Sequence, residues 1–320
     1  MIEFKGISKS FPDGTKAVND LSIFIEKGEF FVMIGPSGSG KTTALKMINR
    51  LIDPTEGSIY LDGVSIHDMS LKELRGRIGY VLQQIALFPH MTIEENIRIV
   101  PDLKKWPEEK IGKRVDELMQ MVGLDPSIYK KRMPKELSGG QQQRVGVIRA
   151  LAGDPDILLM DEPFSALDPI SREQLQKDIQ QLQREIQKTI VFVTHDMDEA
   201  LALGERVALM NDGATVQVDT PEQLIHRPVN KFVQDFLGDR RDPWLMPLKD
   251  LTRYFSEVDD DDALEASAEL SVGMAFEKMQ QDSVSLFIEN NGRKFVMTPQ
   301  MILKYLYDMH KVGSKGGDRP

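Results

Sequence analysis

The eight residues Gly35-Pro36-Ser37-Gly38-Ser39-Gly40-Lys41-Thr42 constrain the fold of this chain more than any other stretch. They fill every fixed position of a phosphate loop, G-x-x-x-x-G-K-[ST]. The flanks also agree. A continuously apolar run, Phe30–Ile34, precedes the loop, and Thr42–Leu51 follows with helical spacing that places Leu45, Ile48 and Leu51 on one face. Glycines at these positions let backbone N–H groups point inward at phosphate. Lys41 supplies a cation to the β- and γ-phosphates, and the Thr42 hydroxyl, with Thr43 beside it, suits Mg²⁺. Such a strand–loop–helix unit belongs at the edge of a parallel sheet, so an α/β core is expected.

The rest of the chain supports that expectation as far as about Leu237. Ile2–Phe11 and Val18–Ile25 alternate as strands around a turn at Pro12-Asp13-Gly14. Residues 70–135 are mainly helical, punctuated by Pro89, Pro101, Pro107 and Gly123. Helices are expected at Ser138–Ala152, Ser171–Gln187 and Met197–Leu203. Ile157–Met160 and Thr189–Thr194 are short, unbroken apolar runs of the kind buried on both faces of a sheet. Asp239-Arg240-Arg241-Asp242-Pro243 is a linker signal, which divides the chain into 1–237 and 238–320.

Three further positions are expected at the sheet edge that carries the phosphate loop. The run Ile157–Met160 ends in Asp161-Glu162, two carboxylates with different work: Asp161 to hold Mg²⁺, Glu162 to orient and polarise an attacking water. His195 follows Thr189–Thr194 and reaches the γ-phosphate. Gln83 ends Ile78–Leu82, facing Mg²⁺ or the water. Phe11 sits at a turn, where it either stacks on adenine or packs as a core aromatic. A second glycine-rich helix start, Leu137-Ser138-Gly139-Gly140-Gln141, has phosphate-gripping character but no lysine. With one complete phosphate loop already present, its natural ligand is a nucleotide held by another copy of the domain.

These motifs, in this order, resemble the ATP-binding subunit of ABC transporters over roughly residues 1–237. The phosphate loop 35–42, Gln83, the signature 137–141, the strand 157–162, the loop Ser165-Ala166-Leu167-Asp168 and His195 all match the family pattern. The resemblance implies a P-loop ATPase domain with a mixed sheet core and a helical subdomain. It also implies a head-to-tail homodimer that sandwiches two ATP. Ser138, Gly139, Gly140 and Gln141 of one subunit would face the γ-phosphate bound by the other, and Asp168 would carry contacts across the interface. The apolar, irregular stretch 83–92 would line a groove for the membrane permease subunits, with Leu87 and Phe88 partly exposed. The wording between motifs (Lys46–Leu51, Ile78–Gln84, Leu87–His90 and Gln141–Val147) is similar to ATPases of bacterial importers for quaternary amines such as glycine betaine, choline and carnitine. None of these residues touches the solute, and another small solute is the alternative.

After the linker, residues 264–280 have helical spacing, with Leu270, Met274 and Met279 among the apolar positions. Ser283–Ile288 and Lys294–Met297 are strands about a hairpin turn at Asn290-Asn291-Gly292, and Met301–Met309 is a helix. This α+β order resembles one partial CBS motif. Met301 stands where nucleotide-binding copies carry an Asp after Thr298. Such a small sheet needs a partner, either the same segment of a second subunit or a remnant in 243–256. The acidic run Asp259–Asp262 is expected to be a solvated loop, and Gly313–Pro320 a disordered tail.

Composition narrows the function. With no cysteine, disulfides and thiolate metal sites are excluded. The net charge of −10 speaks against a nucleic-acid surface, as does the lack of a long heptad run; a soluble ABC ATPase acting on nucleic acid or ribosomes is therefore the weaker class. Intact Lys41, Glu162 and His195 speak against a vestigial regulatory module. No apolar run reaches the roughly 18 residues of a membrane span, and the start lacks a signal-peptide pattern. The expected place is the cytoplasmic face of the membrane, as a peripheral subunit.

Overall fold

The computed structural model describes residues 1–165, 167–238, 244, 246–258, 263–282, 285–290 and 292–314. The linker 239–243, the acidic run 259–262, Ala166, Asn291 and the tail 315–320 lie outside the described residues. The chain divides into two compact units, Met1–Val233 and Gln234–Pro320.

In the first unit, β1 (Ile2–Ser10) and β2 (Lys16–Ile25) form an antiparallel hairpin. β3 (Phe30–Ile34) leads into the phosphate loop and α1 (Lys41–Ile48). β4 (Glu56–Leu61) and β5 (Val64–Ser65) return to β1, giving an antiparallel sheet of order β2-β1-β4-β5. Then come α2 (Leu71–Gly76), β6 (Ile78–Val81), α3 (Ile93–Leu103), α4 (Glu108–Met121), α5 (Pro126–Tyr129), α6 (Gly139–Ala152), β7 (Ile157–Asp161), α7 (Pro169–Ile186), β8 (Thr189–Thr194), α8 (Met197–Leu203), β9 (Arg206–Asn211), β10 (Ala214–Asp219), α9 (Pro221–His226) and α10 (Lys231–Leu237), within which the first unit ends. The second sheet has order β10-β9-β3-β8-β7-β6, parallel except for β10 at its edge.

The apolar runs explain this layering. Alternate residues Phe31 and Met33, Ile157 and Leu159, Val191 and Val193 face one cluster with Ala44, Leu45, Met47 and Ile48 of α1 and the inner face of the antiparallel sheet. Their neighbours Phe30, Leu158, Met160, Ile190 and Phe192 are equally buried on the opposite face. A strand buried on both faces has no polar side to show, so it appears in sequence as an unbroken apolar run. Helix α1 is shorter than its spacing suggests. It ends at Ile48, Arg50 adopts a left-handed φ of 52°, and Leu51 lies beyond the helix, 54% exposed, off the face it was expected to share. Strands β4, β5 and β10 carry no strong pattern, whereas β9 has the same unbroken apolar run, Val207–Met210, outside the expected strands.

The second unit holds a four-stranded sheet. β11 (Ser256–Val258), β12 (Leu264–Glu265), α11 (Val272–Asp282), β13 (Leu286–Asn290), β14 (Arg293–Met297) and α12 (Pro299–Ser314) follow in sequence, and the sheet order is β11-β14-β13-β12. A 3-10 turn, Leu248–Tyr254, joins α11 and α12 over the core of Leu248, Ala275, Met279, Leu286, Ile288 and Tyr305. Residues 264–280 are not one helix: 264–265 is strand, and α11 begins at Val272. Val272, Ala275 and Met279 set its inner face, which turns Met274 outward, 60% exposed. Gly313 and Ser314, expected in the tail, close α12.

Candidate functional site

Parallel register brings the carboxyl ends of four strands to one edge. Ile34 pairs with Thr194 and Asp161 with Val193, so the phosphate loop after β3, Asp161 at the end of β7 and His195 after β8 are neighbours. Gln83 lies two residues past β6. Glycine is obligatory at two points of the loop. A Cβ on Gly35, at φ 155°, would stand 2.1 Å from the Met210 carbonyl oxygen, and one on Gly40, at φ 94°, would stand 2.2 Å from that of Ala17. The second approach also sets the β1–β2 hairpin against the loop. Phe11 lies on that hairpin, outside the core cluster, with the Lys9 ammonium 5.3 Å from its ring centre.

The loop holds its own lysine. Lys41 Nζ donates to the carbonyls of Gly35 and Pro36, each at 2.8 Å, and to Ser39 Oγ at 3.2 Å. Burial pushes this ammonium below the usual lysine range, with the Glu162 and Asp161 carboxylates opposing. Ser37 and Gly38 are exposed, while Thr42 and Thr43 are half-buried at the start of α1. Thr42 Oγ1 donates to Asp161 Oδ1 at 2.8 Å, and the Tyr80 hydroxyl donates to Asp161 Oδ2 at 3.3 Å. Burial first, then Asp161, pushes the Tyr80 hydroxyl upward, so it stays a donor at neutral pH. Tyr80 has no motif of its own. Its only signal is its place near the end of a strand aimed at this edge.

Glu162 lies in the left-handed region, φ 43°, and its N–H donates to the Val193 carbonyl at 2.9 Å. Two side chains converge on a single oxygen of it. Gln83 Nε2 donates to Glu162 Oε2 at 3.2 Å, and His195 Nδ1 lies 3.2 Å from the same atom. Oε1 carries no hydrogen bond among the described residues. Thus Lys41, Thr42, Asp161, Glu162, Gln83 and His195 form one cluster.

The signature residues stand apart from it. Ser138 caps α6 through a reciprocal box: its hydroxyl accepts from the Gln141 N–H, and Gln141 Oε1 accepts from the Ser138 N–H at 2.9 Å. Ser138 and Gly139 are exposed, and neither they nor Gly140 and Gln141 bond the phosphate loop. Asp168 caps α7, accepting from the Ser171 N–H at 3.0 Å. A Cβ on Gly140 would come within 3.1 Å of Ser171, so the two helix starts are adjacent.

In the stretch 83–92, Leu87 is half-buried and Phe88 is 43% exposed. Its backbone is pinned by Asn96, a fully buried side chain with four bonds: Oδ1 accepts from the Phe88 N–H, and Nδ2 donates to the carbonyls of Phe88, Met91 and Thr92. Beside it opens a cleft of about 340 Å³ whose walls include Ile78, Leu82, Phe88 and Val100.

The fold and this cluster define a P-loop nucleoside-triphosphatase of the ATP-binding cassette type. The ABC transporter family model matches residues 18–165. The chain is 55% identical over 241 residues to the glycine betaine/carnitine/choline transport ATP-binding protein OpuCA of Bacillus subtilis, covering 75% of this chain and 63% of that protein. It is 47% identical over 294 residues to the choline transport ATP-binding protein OpuBA of the same organism, covering 92% and 76%. It is also 47% identical over 289 residues to the glycine betaine uptake system ATP-binding protein YehX of Escherichia coli, covering 90% and 91%. A dimeric ATP-binding cassette in a post-hydrolysis state with ADP and Pi superposes with a TM-score of 0.62 at 37% identity, over 69% of this chain and 99% of that one. The chain belongs to the family of ABC transporter ATP-binding subunits, ATPases that bind ATP with Mg²⁺, and solved cassettes similar to it are dimeric.

The donor set fits Mg²⁺. Thr42 Oγ1 and Asp161 Oδ1 are hard oxygen donors 2.8 Å apart, and Mg²⁺ is held by one or two such groups together with substrate phosphates and water. No group of three or more His, Cys, Asp or Glu that would cage a metal by itself occurs among the described residues. No helix among them is long and apolar enough to cross a membrane.

Proposed function

We propose that this chain drives an importer of quaternary-amine osmoprotectants, with two copies closing head to tail around two ATP. The observation that supports it most is the convergence of Gln83 and His195 on one oxygen of Glu162 beside the phosphate loop. The relatives' names supply the solute class: glycine betaine, carnitine and choline.

The chemistry follows from the cluster. Loop N–H groups and Lys41 bind and orient the phosphates, and Lys41 exchanges its two carbonyl partners for phosphate oxygens. Phe11, held at the hairpin beside the loop, stacks on the adenine. Thr42 and Asp161 hold Mg²⁺, which neutralises phosphate charge when bound. Gln83 and His195, the latter with its proton on Nδ1, fix Glu162 Oε2. That leaves Oε1 to accept a hydrogen bond from water and align it on the γ-phosphorus, while His195 Nε2 faces the γ-phosphate. Ser138, Gly139, Gly140 and Gln141 of the second copy close over that phosphate from the far side, and Asp168 lies at the same seam. The stretch 83–92, held by Asn96 with Phe88 outward, receives the membrane permease at the cytoplasmic face. Movement there reaches the water-orienting carboxylate through Gln83. The second unit is a regulatory module resembling one CBS motif, its sheet completed at one edge by β11 (Ser256–Val258), which starts where the 243–256 stretch ends.

ATP hydrolysis by the chain assembled with its membrane subunits, with glycine betaine, carnitine and choline added one at a time, tests this. Stimulation by one of them is expected; intact basal hydrolysis with no stimulation by any sinks the solute reading. Leu87→Glu is expected to abolish that stimulation while basal hydrolysis persists, and normal transport by this variant removes the docking assignment. Deleting 240–320 is expected to leave hydrolysis intact and alter its response to salt; an unchanged response ends the regulatory reading.

A further inference from the structure

Arg172, in the first turn of α7, is not part of the cluster above, yet it connects two of the loops that border it. Its backbone N–H donates to the Asp168 carbonyl at 2.9 Å, and its Nη2 donates to the Leu167 carbonyl at 3.3 Å. On its other side lie two carboxylates from the segment just after His195. Asp196 Oδ2 is 3.7 Å from Nη1, and Glu199 Oε1 is 4.0 Å from Nε. Nε is buried and finds no hydrogen-bond acceptor among the described residues.

The segment Arg172 faces is itself stiff. Thr194 Oγ1 donates to Glu199 Oε2 at 2.5 Å and accepts from the Asp196 N–H at 3.0 Å. Asp196 caps α8 by accepting from the N–H groups of Asp198 and Glu199. Glu199 is 5% exposed, and burial raises its carboxyl above the usual range. A cation reaching a buried carboxylate without closing the hydrogen bond is an unfinished contact in a low-dielectric place, where small displacements change its strength most.

We propose that Arg172 is a positioning residue for hydrolysis, tying the Leu167-Asp168 loop to the segment that holds His195 against Glu162. Displacement of that loop when two copies meet would then reset the His195–Glu162 contact. This rests on the reading of Glu162, His195 and Asp168 given above. It assigns Arg172 no contact with ATP, so nucleotide affinity is not its lever.

Steady-state hydrolysis by the full chain, for wild type, Arg172→Ala and Arg172→Lys, tests it, with melting temperature measured on each. Arg172→Ala is expected to lower kcat roughly ten- to a hundred-fold, the scale of a small misplacement of catalytic groups, with KM for ATP within about two-fold. Arg172→Lys is expected to recover part of kcat, since it keeps the charge toward Asp196 and Glu199 and loses the Nη2 bond to the Leu167 carbonyl. Asp196→Asn, which keeps the α8 cap, is expected to be non-additive with Arg172→Ala in kcat. Unchanged kcat in Arg172→Ala, or additivity with Asp196→Asn, overturns the proposal. A loss that Lys does not relieve and that follows the fall in melting temperature also overturns it, as purely structural. Absence of hydrolysis by wild type would instead fail the functional reading, so the two failures are distinct.

Discussion

Two surfaces of the first unit are suited to phosphate, and they are finished to different degrees. The loop after β3 is closed on itself: Lys41 is buried, its ammonium is satisfied by two carbonyls and a hydroxyl, and Asp161 is bonded at both oxygens. The start of α6 is open. Ser138 satisfies its own helix and nothing else, and Ser138 and Gly139 face outward. A helix start capped locally, with Ser138 and Gly139 exposed, leaves its outer side open. On the proposed reading, one surface binds nucleotide alone and the other acts only on a nucleotide already bound elsewhere.

The largest effect should come at the finished side. Glu162→Gln keeps shape and the bonds to Gln83 and His195 while removing the acceptor strength of the carboxylate. Hydrolysis should fall by about 10²–10⁴-fold, with ATP still bound and a dimer trapped on size-exclusion chromatography. Hydrolysis near the wild-type rate would mean another group activates the water. Next, Ser138→Asp preserves the α6 cap, because Asp is as good an N-cap as Ser, but places a negative charge where the second copy's γ-phosphate is expected. Fluorescent-nucleotide affinity of the isolated subunit should stay unchanged while hydrolysis drops on the order of 10²-fold. Equal loss of both would merge the two surfaces into one and break the comparison. The smallest effect is Tyr80→Phe, which removes one neutral hydrogen bond from Asp161, about 1 kcal/mol, or roughly a five-fold higher Mg²⁺ requirement in a titration of hydrolysis and of Mn²⁺ binding. An unchanged requirement would show that Thr42 alone orients that carboxylate.

Burial on both faces made the central strands visible in sequence. Phe30–Ile34 and Thr189–Thr194 match their expected spans residue for residue, because no polar side interrupts them. Where one side of an element meets water, phase decides, and phase is set by where the helix starts and stops. That is why Leu51 and Met274 point outward against expectation. The phosphate loop was legible because its glycines and lysine are local. The Gln83–Glu162 contact was not: the two lie 79 residues apart, and the sequence pointed Gln83 only toward Mg²⁺ or the water. Tyr80, Asn96 and Arg172 carry no signal of their own for a related reason. A single polar residue within a strand or helix looks ordinary until the partner it bonds is known.

Glu162 has one more implication, through its φ of 43°. A left-handed L-residue other than glycine costs roughly 1–2 kcal/mol, which glycine would not. Against that relief, Glu162→Gly loses the contacts from Gln83 and His195 and adds about 0.5–1 kcal/mol of unfolded-chain entropy, so it should melt close to the parent while being inactive. A laboratory selection that rewarded thermal tolerance alone would not remove that dead variant, so directed evolution of this chain needs turnover in the screen from its first round.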